Sequence, residues 1–489
     1  MIPITVNPGN SMQPDPRRIL LIRPPDPFQS SALLSHTRPM NLAYLAAALR
    51  VAGFESMIAD YEVTPYSLGN LRQILEIFSP ALVGFTAMTP TITSAGALAG
   101  DVKRLCPSLV TVAGGSHVSA LPEFTLQQFP AFDYAVIGEG ETTLVELCQS
   151  LRDGGQLREI SGIAFREHGA VTLTGPRSLI ADLDTIPFPA RDLIDYSRQA
   201  GHSSRGFSNR LNSTELFTSR GCPVGCSFCA IQATFGRTVR FRDPLCIKEE
   251  LDQVVREQHF NHIVIADDTF TLEPGRAAAI SEILGQSGIE SWNCDTRVNT
   301  VSLELLKAMK RNGCGKVAFG VESGSQRMLD AMGKGVRLEQ VRNAVNWARE
   351  AGISHIEGNF IIGSDPSETL EELELTRQLI CSLPWTFVSV AVVVPYPGTP
   401  LRERMLAAGL IENRSGWEDY VIFGKRPGWN TENFSADQLL QQQRTLTRSF
   451  YLRPSYIASR LASIRSWTEL RYWASAGTSY LKWYTTGKA

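Results

Sequence analysis

The chain has 489 residues, 43% of them hydrophobic and 20% charged, with a formal net charge of −2. That is the composition of a folded protein with room for two or three domains, and it excludes the global positive field that would draw in nucleic acid. No window approaches about eighteen uninterrupted apolar residues, so no membrane-spanning helix is expected.

The opening MIPITVNPGNSMQPDPRR lacks a basic region followed by an apolar one. No signal peptide is expected, and residues 1–16 read as a disordered N-terminus. The nine cysteines are odd in number and mostly scattered, which suits a reducing, cytoplasmic location rather than a disulfide framework.

Over 17–150 short apolar runs alternate with helical patterns. RILLIR (18–23), SMIAD (56–60), LVGFT (82–86), VTVAG (110–114) and YAVIG (134–138) read as buried parallel strands. LAYLAAALRVAG (42–53) and SAGALAGDVKRLC (94–106) read as amphipathic crossovers. The expected result is an α/β, doubly wound, Rossmann-like sheet, which binds ligands beyond the carboxyl ends of its strands. Those ends carry Thr86, then Gly114, Gly115 and His117, then Gly138 and Glu139. Glycines there let backbone approach a ligand closely; tight strand–helix turns are the plainer alternative for each one alone.

Residues 151–212 read as a linker containing a hairpin, ISGIAFREHGAVTL, followed by the proline-rich DTIPFPARDLIDY and a polar loop. A second strand–helix series occupies 213–405. Its strands are ELFTS (215–219), HIVIAD (262–267), SWNCD (291–295), KVAFGVE (316–322), IEGNFIIG (356–363) and FVSVAVVV (387–394). Six β/α units in a row predict a partial, TIM-type (β/α)6 barrel with its functional residues at the carboxyl ends of the strands.

Residues 406–489 are expected to form a helical, basic and aromatic C-terminal region. From Ser449 onward Arg453, Arg460, Arg465, Arg471, Lys482 and Lys488 face a single acid, Glu469, with nine aromatic residues interleaved. Such a segment fits peripheral contact with the inner face of a membrane; helices packed across the barrel with a solvated basic face are the alternative.

The stretch SRGCPVGCSFCA places Cys222, Cys226 and Cys229 within eight residues, on the loop after the first barrel strand. A structural zinc site needs four ligands, usually as two pairs, and the fourth would have to come from Cys246, His259 or His262. A disulfide would leave one thiol over. Cubane clusters are thiolate-bound, so three close cysteines fit a 4Fe-4S cluster whose fourth iron stays open.

Cys222-x-x-x-Cys226-x-x-Cys229 resembles the signature of the radical S-adenosylmethionine (SAM) superfamily. The resemblance implies that SAM chelates the open iron and is reduced to a 5′-deoxyadenosyl radical by an electron from a partner such as flavodoxin or ferredoxin. It also implies roles for further residues. Phe228 is similar to the aromatic that lies near adenine. Asp267 and Asp268 stand where the family receives the SAM amino group. Arg297, Glu322 and Ser323 resemble contacts to the SAM carboxylate and ribose. Gly363, in FIIGSDPSET, resembles the Gly-rich adenine strand, and PYPGTPL (395–401) a closing element.

With the N-terminal domain, the chain resembles the cobalamin-binding class of that superfamily, over about 17–150 and 213–405. One departure is visible. Well-known cobalamin domains carry Asp-x-His-x-x-Gly after their first strand, whereas this chain reads RPPDPFQSS; with Asp26 aligned, Phe28 replaces the His and Ser31 the Gly. A His-ligated cobalt is therefore not expected. The resemblance implies methyl transfer to an unactivated carbon of a specialised metabolite or lipid-like substrate; oxidative cyclisation or ring rearrangement with the same cofactors is the alternative. A cluster-bearing sensor has no need of Asp267, Arg297 and Glu322 together. Methylthiolation of tRNA predicts a basic RNA-binding domain and further cysteines, which are not seen. No general acid or base stands out.

Overall fold

The computed structural model describes residues 13–26, 38–196, 212–412, 416–422 and 427–464, with a few isolated positions beyond. Phe28, Ser31 and most of the basic tail lie outside the described residues. The chain forms two compact units: residues 1–26, 39–178 and 187–194 belong to the first, and 27–38, 179–186 and 195–489 to the second.

In the first unit the strands are β1 (Asp15–Arg23), β2 (Glu55–Asp60), β3 (Pro80–Thr86), β4 (Val110–Gly114) and β5 (Tyr134–Val136), followed by β6 (Ile163–Glu167) and β7 (Ala170–Leu173). Among the described residues they make a seven-stranded sheet in the order β2-β1-β3-β4-β5-β6-β7. The first five are parallel. Ile19, Leu20, Leu21 and Ile22 of β1 are all buried, which marks a strand covered on both faces and explains its unbroken apolar run. Helices Met40–Val51 and Gly140–Asp153 supply Leu42, Ala46 and Leu49, and Leu144 and Leu147, to that core.

The hairpin expected inside a linker belongs instead to this sheet. β6 pairs antiparallel with β5, Ala135 opposite Ala164, and burial of Ile163, Ala164 and Phe165 makes that pairing favourable. Local pattern does not reveal which distant strand a hairpin will join.

The second unit contains β8 (Ser213–Leu216), β9 (Ser219–Arg220), β10 (Arg240–Phe241), β11 (His262–Ile265), β12 (Ser291–Arg297), β13 (Cys314–Glu322), β14 (His355–Ile362) and β15 (Phe387–Val392). Six of these form one parallel sheet in the order β15-β14-β13-β12-β11-β8. Spatial order follows chain order, as successive β/α units of an open barrel require. The expected strand ELFTS divides: β8 stops at Leu216, and β9 pairs antiparallel with β10 as a separate ribbon.

β15 lies at one edge of this sheet, where unpaired backbone groups would invite further strands. Helix Ala436–Tyr451 covers it. Gln443 donates to the Val390 carbonyl at 2.9 Å. The Tyr451 hydroxyl accepts from the Val388 N–H at 3.1 Å and donates to the Val388 carbonyl at 2.9 Å. Phe450 and Tyr456 stack inward with ring centroids 4.7 Å apart, and the Tyr456 hydroxyl donates to Thr386. The first aromatic residues of the tail are thus consumed in covering the barrel edge. Among the described residues no helix is long and apolar enough to cross a membrane.

Tyr451→Phe leaves both Val388 backbone groups without their hydroxyl partner, and the expected loss is about 1–3 kcal/mol. Thermal unfolding checks it: the variant should melt several degrees lower, and an unchanged midpoint would show that the edge is satisfied in another way.

Candidate active site

Construction begins with Asp267, immediately after β11. The Thr218 and Ser219 backbone N–H groups donate to its Oδ1 at 2.6 and 3.1 Å, and their hydroxyls to its Oδ2 at 2.5 and 2.7 Å. Burial pushes the Asp267 pKa up, and those donors, with Arg276, pull the other way. Arg276 also donates to the Thr218 carbonyl at 2.7 Å and lies over the Phe241 ring at 4.7 Å. These contacts explain why β8 ends where it does: Thr218 and Ser219 are held by a side chain rather than by the sheet. Asp267 is thereby committed to the root of the loop. The neighbouring carboxylate, Asp268, carries a charge that acts on Cys229. Burial, and then the Asp267 charge, raise its pKa to about 6 against a hydrogen bond from the Gly221 backbone.

The β9–β10 ribbon closes the base of the cysteine loop. Gly221 has φ +91°, and a Cβ there would stand 2.5 Å from the Thr238 carbonyl oxygen, so only glycine turns the chain here. Cys222, Cys226 and Cys229 are all free thiols, Cys226 buried and the other two half-buried. Burial lifts the Cys229 pKa to about 11, and the charges of Cys226, Asp268 and Cys222 add to that rise. Among the described residues no three His, Cys, Asp or Glu side chains converge on a single metal ion. Three thiols that repel one another on one loop fit a polynuclear cluster, in which each thiolate meets a different iron and is deprotonated by it.

Two helices, Gln326–Ala331 through its C-cap and Pro400–Ala407 through its first turn, fasten this loop. The Ser227 N–H donates to the Met332 carbonyl, and the Leu401 N–H donates to the Ser227 carbonyl, both at 2.9 Å. The PYPGTPL run therefore touches the loop through its last residue. Phe228 packs against buried Met328, Leu329 and Met332. Glu322, at the end of β13, has φ +72°, a conformation that a non-glycine side chain adopts at a cost of order 1–3 kcal/mol. Its carboxylate pairs with Lys334 at 2.6 Å, both groups buried. Arg297, at the end of β12, donates to the Lys334 carbonyl and, at 3.2 Å, to Asn299. Ser323 is fully buried, its hydroxyl 3.2 Å from that of Thr376 in helix Leu370–Ser382; it ties down the turn.

Gly363 follows the end of β14 at φ +69°, and its N–H donates to Glu368. Glu368 is buried, and its Oε1 has no hydrogen-bond partner among the described residues. Burial raises its pKa to about 8. Sequence reasoning missed both Lys334 and Glu368: in GKG and PSET a lysine and a glutamate read as surface turn residues.

In the first unit the loops after β3, β4 and β5 lace together. The Ala87 N–H donates to the Gly114 carbonyl at 2.7 Å, the His117 N–H to the Ala87 carbonyl at 3.3 Å, and the Gly138 N–H to the Ser119 hydroxyl at 2.9 Å. Gly115 has φ +107°, and a Cβ there would stand 2.5 Å from the Ala87 oxygen. Thr86 accepts from Asn41. His117 is fully buried, its Nδ1 3.3 Å from the Thr89 hydroxyl, and Glu139 is the buried N-cap residue of helix Gly140–Asp153. This end of the sheet therefore presents glycine backbone, with Thr86, His117 and Glu139 bracing it.

Together these features define a class: a Rossmann-type unit with glycine-lined strand ends, in one chain with an open β/α barrel whose first loop carries three thiols. The profile of the radical SAM superfamily matches residues 216–380, and that of the B12 binding domain matches residues 32–148. An uncharacterized methyltransferase of Pyrococcus horikoshii is 35% identical over 442 residues, covering 90% of this chain and 94% of its own. An anaerobic magnesium-protoporphyrin IX monomethyl ester cyclase of Cereibacter sphaeroides is 28% identical over 397 residues, 79% of this chain and 63% of the cyclase. The structure of the radical SAM methyltransferase TsrM of Kitasatospora setae, with cobalamin and a 4Fe-4S cluster bound, superposes with a TM-score of 0.72 at 17% identity. That match covers 95% of this chain and 99% of TsrM, and shows a shared fold. The chain belongs to the radical SAM superfamily, in the branch with an N-terminal B12 binding domain.

The raised Glu368 pKa has a pH consequence. Between its ordinary value of 4.5 and about 8 the unfolded chain releases this proton while the folded chain keeps it. The group's contribution to stability therefore falls as pH rises through that window, by up to about 1.4 kcal/mol per pH unit. Glu368→Gln, which mimics the protonated acid, should gain stability relative to the parent between pH 5 and 7.5 in denaturant unfolding. Parallel curves for the two proteins would contradict a buried neutral acid.

Proposed function

We propose that the protein is a cobalamin-dependent radical SAM methyltransferase that methylates an unactivated carbon of a small specialised metabolite or lipid-like substrate. The observation that carries the methyl-transfer reading is the 35% identity, over nearly the whole of both chains, to a methyltransferase. The similarity to the cyclase favours the second reading, oxidative cyclisation or ring rearrangement with the same cofactors.

In this reading residues 17–150 serve cobalamin and 213–405 the radical chemistry. Cys222, Cys226 and Cys229 hold the cluster. Asp268, Arg297, Glu322 and Gly363 line the SAM position, with Asp267, Ser323 and Phe228 holding those residues in place. Thr86, Gly114, Gly115, His117, Gly138 and Glu139 form the cobalamin-facing rim. When bound, the cluster supplies the electron that cleaves SAM, and cobalamin carries the methyl group. The protein's part is positional: Glu322 and Lys334 form a buried ion pair, Asp267 keeps the loop root rigid, and Gly115 lets the loop after β4 pack directly on the Ala87 backbone. A one-electron donor such as flavodoxin or ferredoxin supplies the reducing equivalent.

The test is anaerobic reconstitution with iron, sulfide and hydroxocobalamin, then SAM and strong reductant, with products read by mass spectrometry. Methyl transfer predicts both S-adenosylhomocysteine and 5′-deoxyadenosine; 5′-deoxyadenosine alone would favour the cyclase reading.

The C-terminus supports peripheral contact with the inner face of the membrane, which would bring the enzyme to a lipid-like substrate. Leu452, Ile457, Leu461 and Trp467 are exposed and lie in the basic part of the chain. Removing residues 465–489, which spares Tyr451 and Tyr456, should abolish flotation with anionic vesicles. Equal flotation of both forms, or none by the full chain, would remove this proposal.

A further inference from the structure

The turn Gly333-Lys334-Gly335 delivers the lysine of the buried Glu322–Lys334 pair. Both glycines have positive φ, +67° and +64°, a conformation that lets a short turn fold back on itself. The turn packs on the cysteine loop: the Ser227 N–H donates to the Met332 carbonyl, and a Cβ on Gly333 would meet the Gly225 carbonyl oxygen at 3.3 Å. Between the glycines Lys334 points inward and is only 6% exposed. Its ammonium is 2.6 Å from Glu322. The pair fills the space beside β13 so completely that a Cβ on Gly320 would lie 2.7 Å from Glu322 Oε1 and 2.9 Å from Lys334 Nζ.

The local charge does not balance. Arg297 is buried and hydrogen-bonded to the Lys334 carbonyl and Asn299, and neither acceptor is a carboxylate. Among the described residues two buried cations thus stand beside one buried acid, Glu322, and the turn that carries Lys334 packs on Gly225 and Ser227, the residues on either side of Cys226. A buried excess cation is costly without an anion to face.

Resting on the assignment of a cluster to Cys222, Cys226 and Cys229, we propose that Lys334, delivered by its two-glycine turn, is a positioning residue that sets how readily the cluster accepts an electron. One-electron reduction adds one negative charge and needs no proton, so a fixed cation beside Cys226 favours the reduced state. Glu322 opposes this, and the balance of the pair sets the level.

The experiment is an EPR-monitored redox titration with dithionite of the protein reconstituted with cluster and cobalamin, without SAM, alongside iron and sulfide analysis. Lys334→Met should load as much iron as the parent but show a more negative midpoint. Glu322→Gln should move the midpoint the opposite way, and Lys334→Arg should restore it. Equal iron with unmoved midpoints in both Lys334→Met and Glu322→Gln overturns the proposal, as do shifts in the same direction. Should Lys334→Met fail to load, the Glu322→Gln shift decides. A parent protein that takes up no cluster would instead remove the cluster assignment itself.

Discussion

Four hydrogen bonds to one buried carboxylate hold the root of the cysteine loop, and the barrel mouth is arranged around that root. Asp267 accepts from two consecutive residues, Thr218 and Ser219, through both backbone and hydroxyl. It thereby ends β8, turns the chain into the β9–β10 ribbon and aims the segment from Gly221 onward. Because acceptor and donors are all buried, the arrangement has no competition from water, and losing any one group would leave another unsatisfied. The loop it aims carries three thiols but little core of its own, so its geometry comes from this anchor and from the Met332 and Leu401 contacts.

The two units divide the work by the same principle. In each, parallel strands make a rigid floor, the inner ones such as β1 and β11 buried along their apolar runs, and chemistry is left to what emerges at the carboxyl ends. The first unit offers glycine backbone there, Gly115 fitted so closely to Ala87 that no side chain is admitted. The second offers charge: the buried Glu322–Lys334 pair and Arg297, tied to a turn that packs on the cysteine loop. Backbone suits a large cofactor held by shape, and buried charge suits one that changes its own charge as it reacts.

Much of this was legible in the residues. VTVAG is β4 to the residue, and the six barrel strands lie within a few residues of their apolar runs, because strands covered on both faces leave an unbroken signal. ELFTS was misread at its end because Asp267, forty-eight residues after Ser219, decides where that strand stops. The hairpin at 163–173 read as part of a linker because its partner, β5, is set by tertiary packing. The cysteine motif was plain, and so was the pair Asp267-Asp268, but only the structure shows that Asp267 is the anchor of the loop root. Lys334 and Glu368 were invisible for a related reason: their residue types are ordinary on a surface, and only burial makes them informative.

The central claim is that three thiolates hold a cluster whose remaining iron is open to SAM. EPR of the anaerobically reduced, reconstituted protein with and without SAM tests it most directly. The account predicts a 4Fe-4S signal that changes when SAM is added and is lost when Cys222, Cys226 and Cys229 are together replaced by Ala. A signal indifferent to SAM, or one that survives the triple replacement, would contradict it.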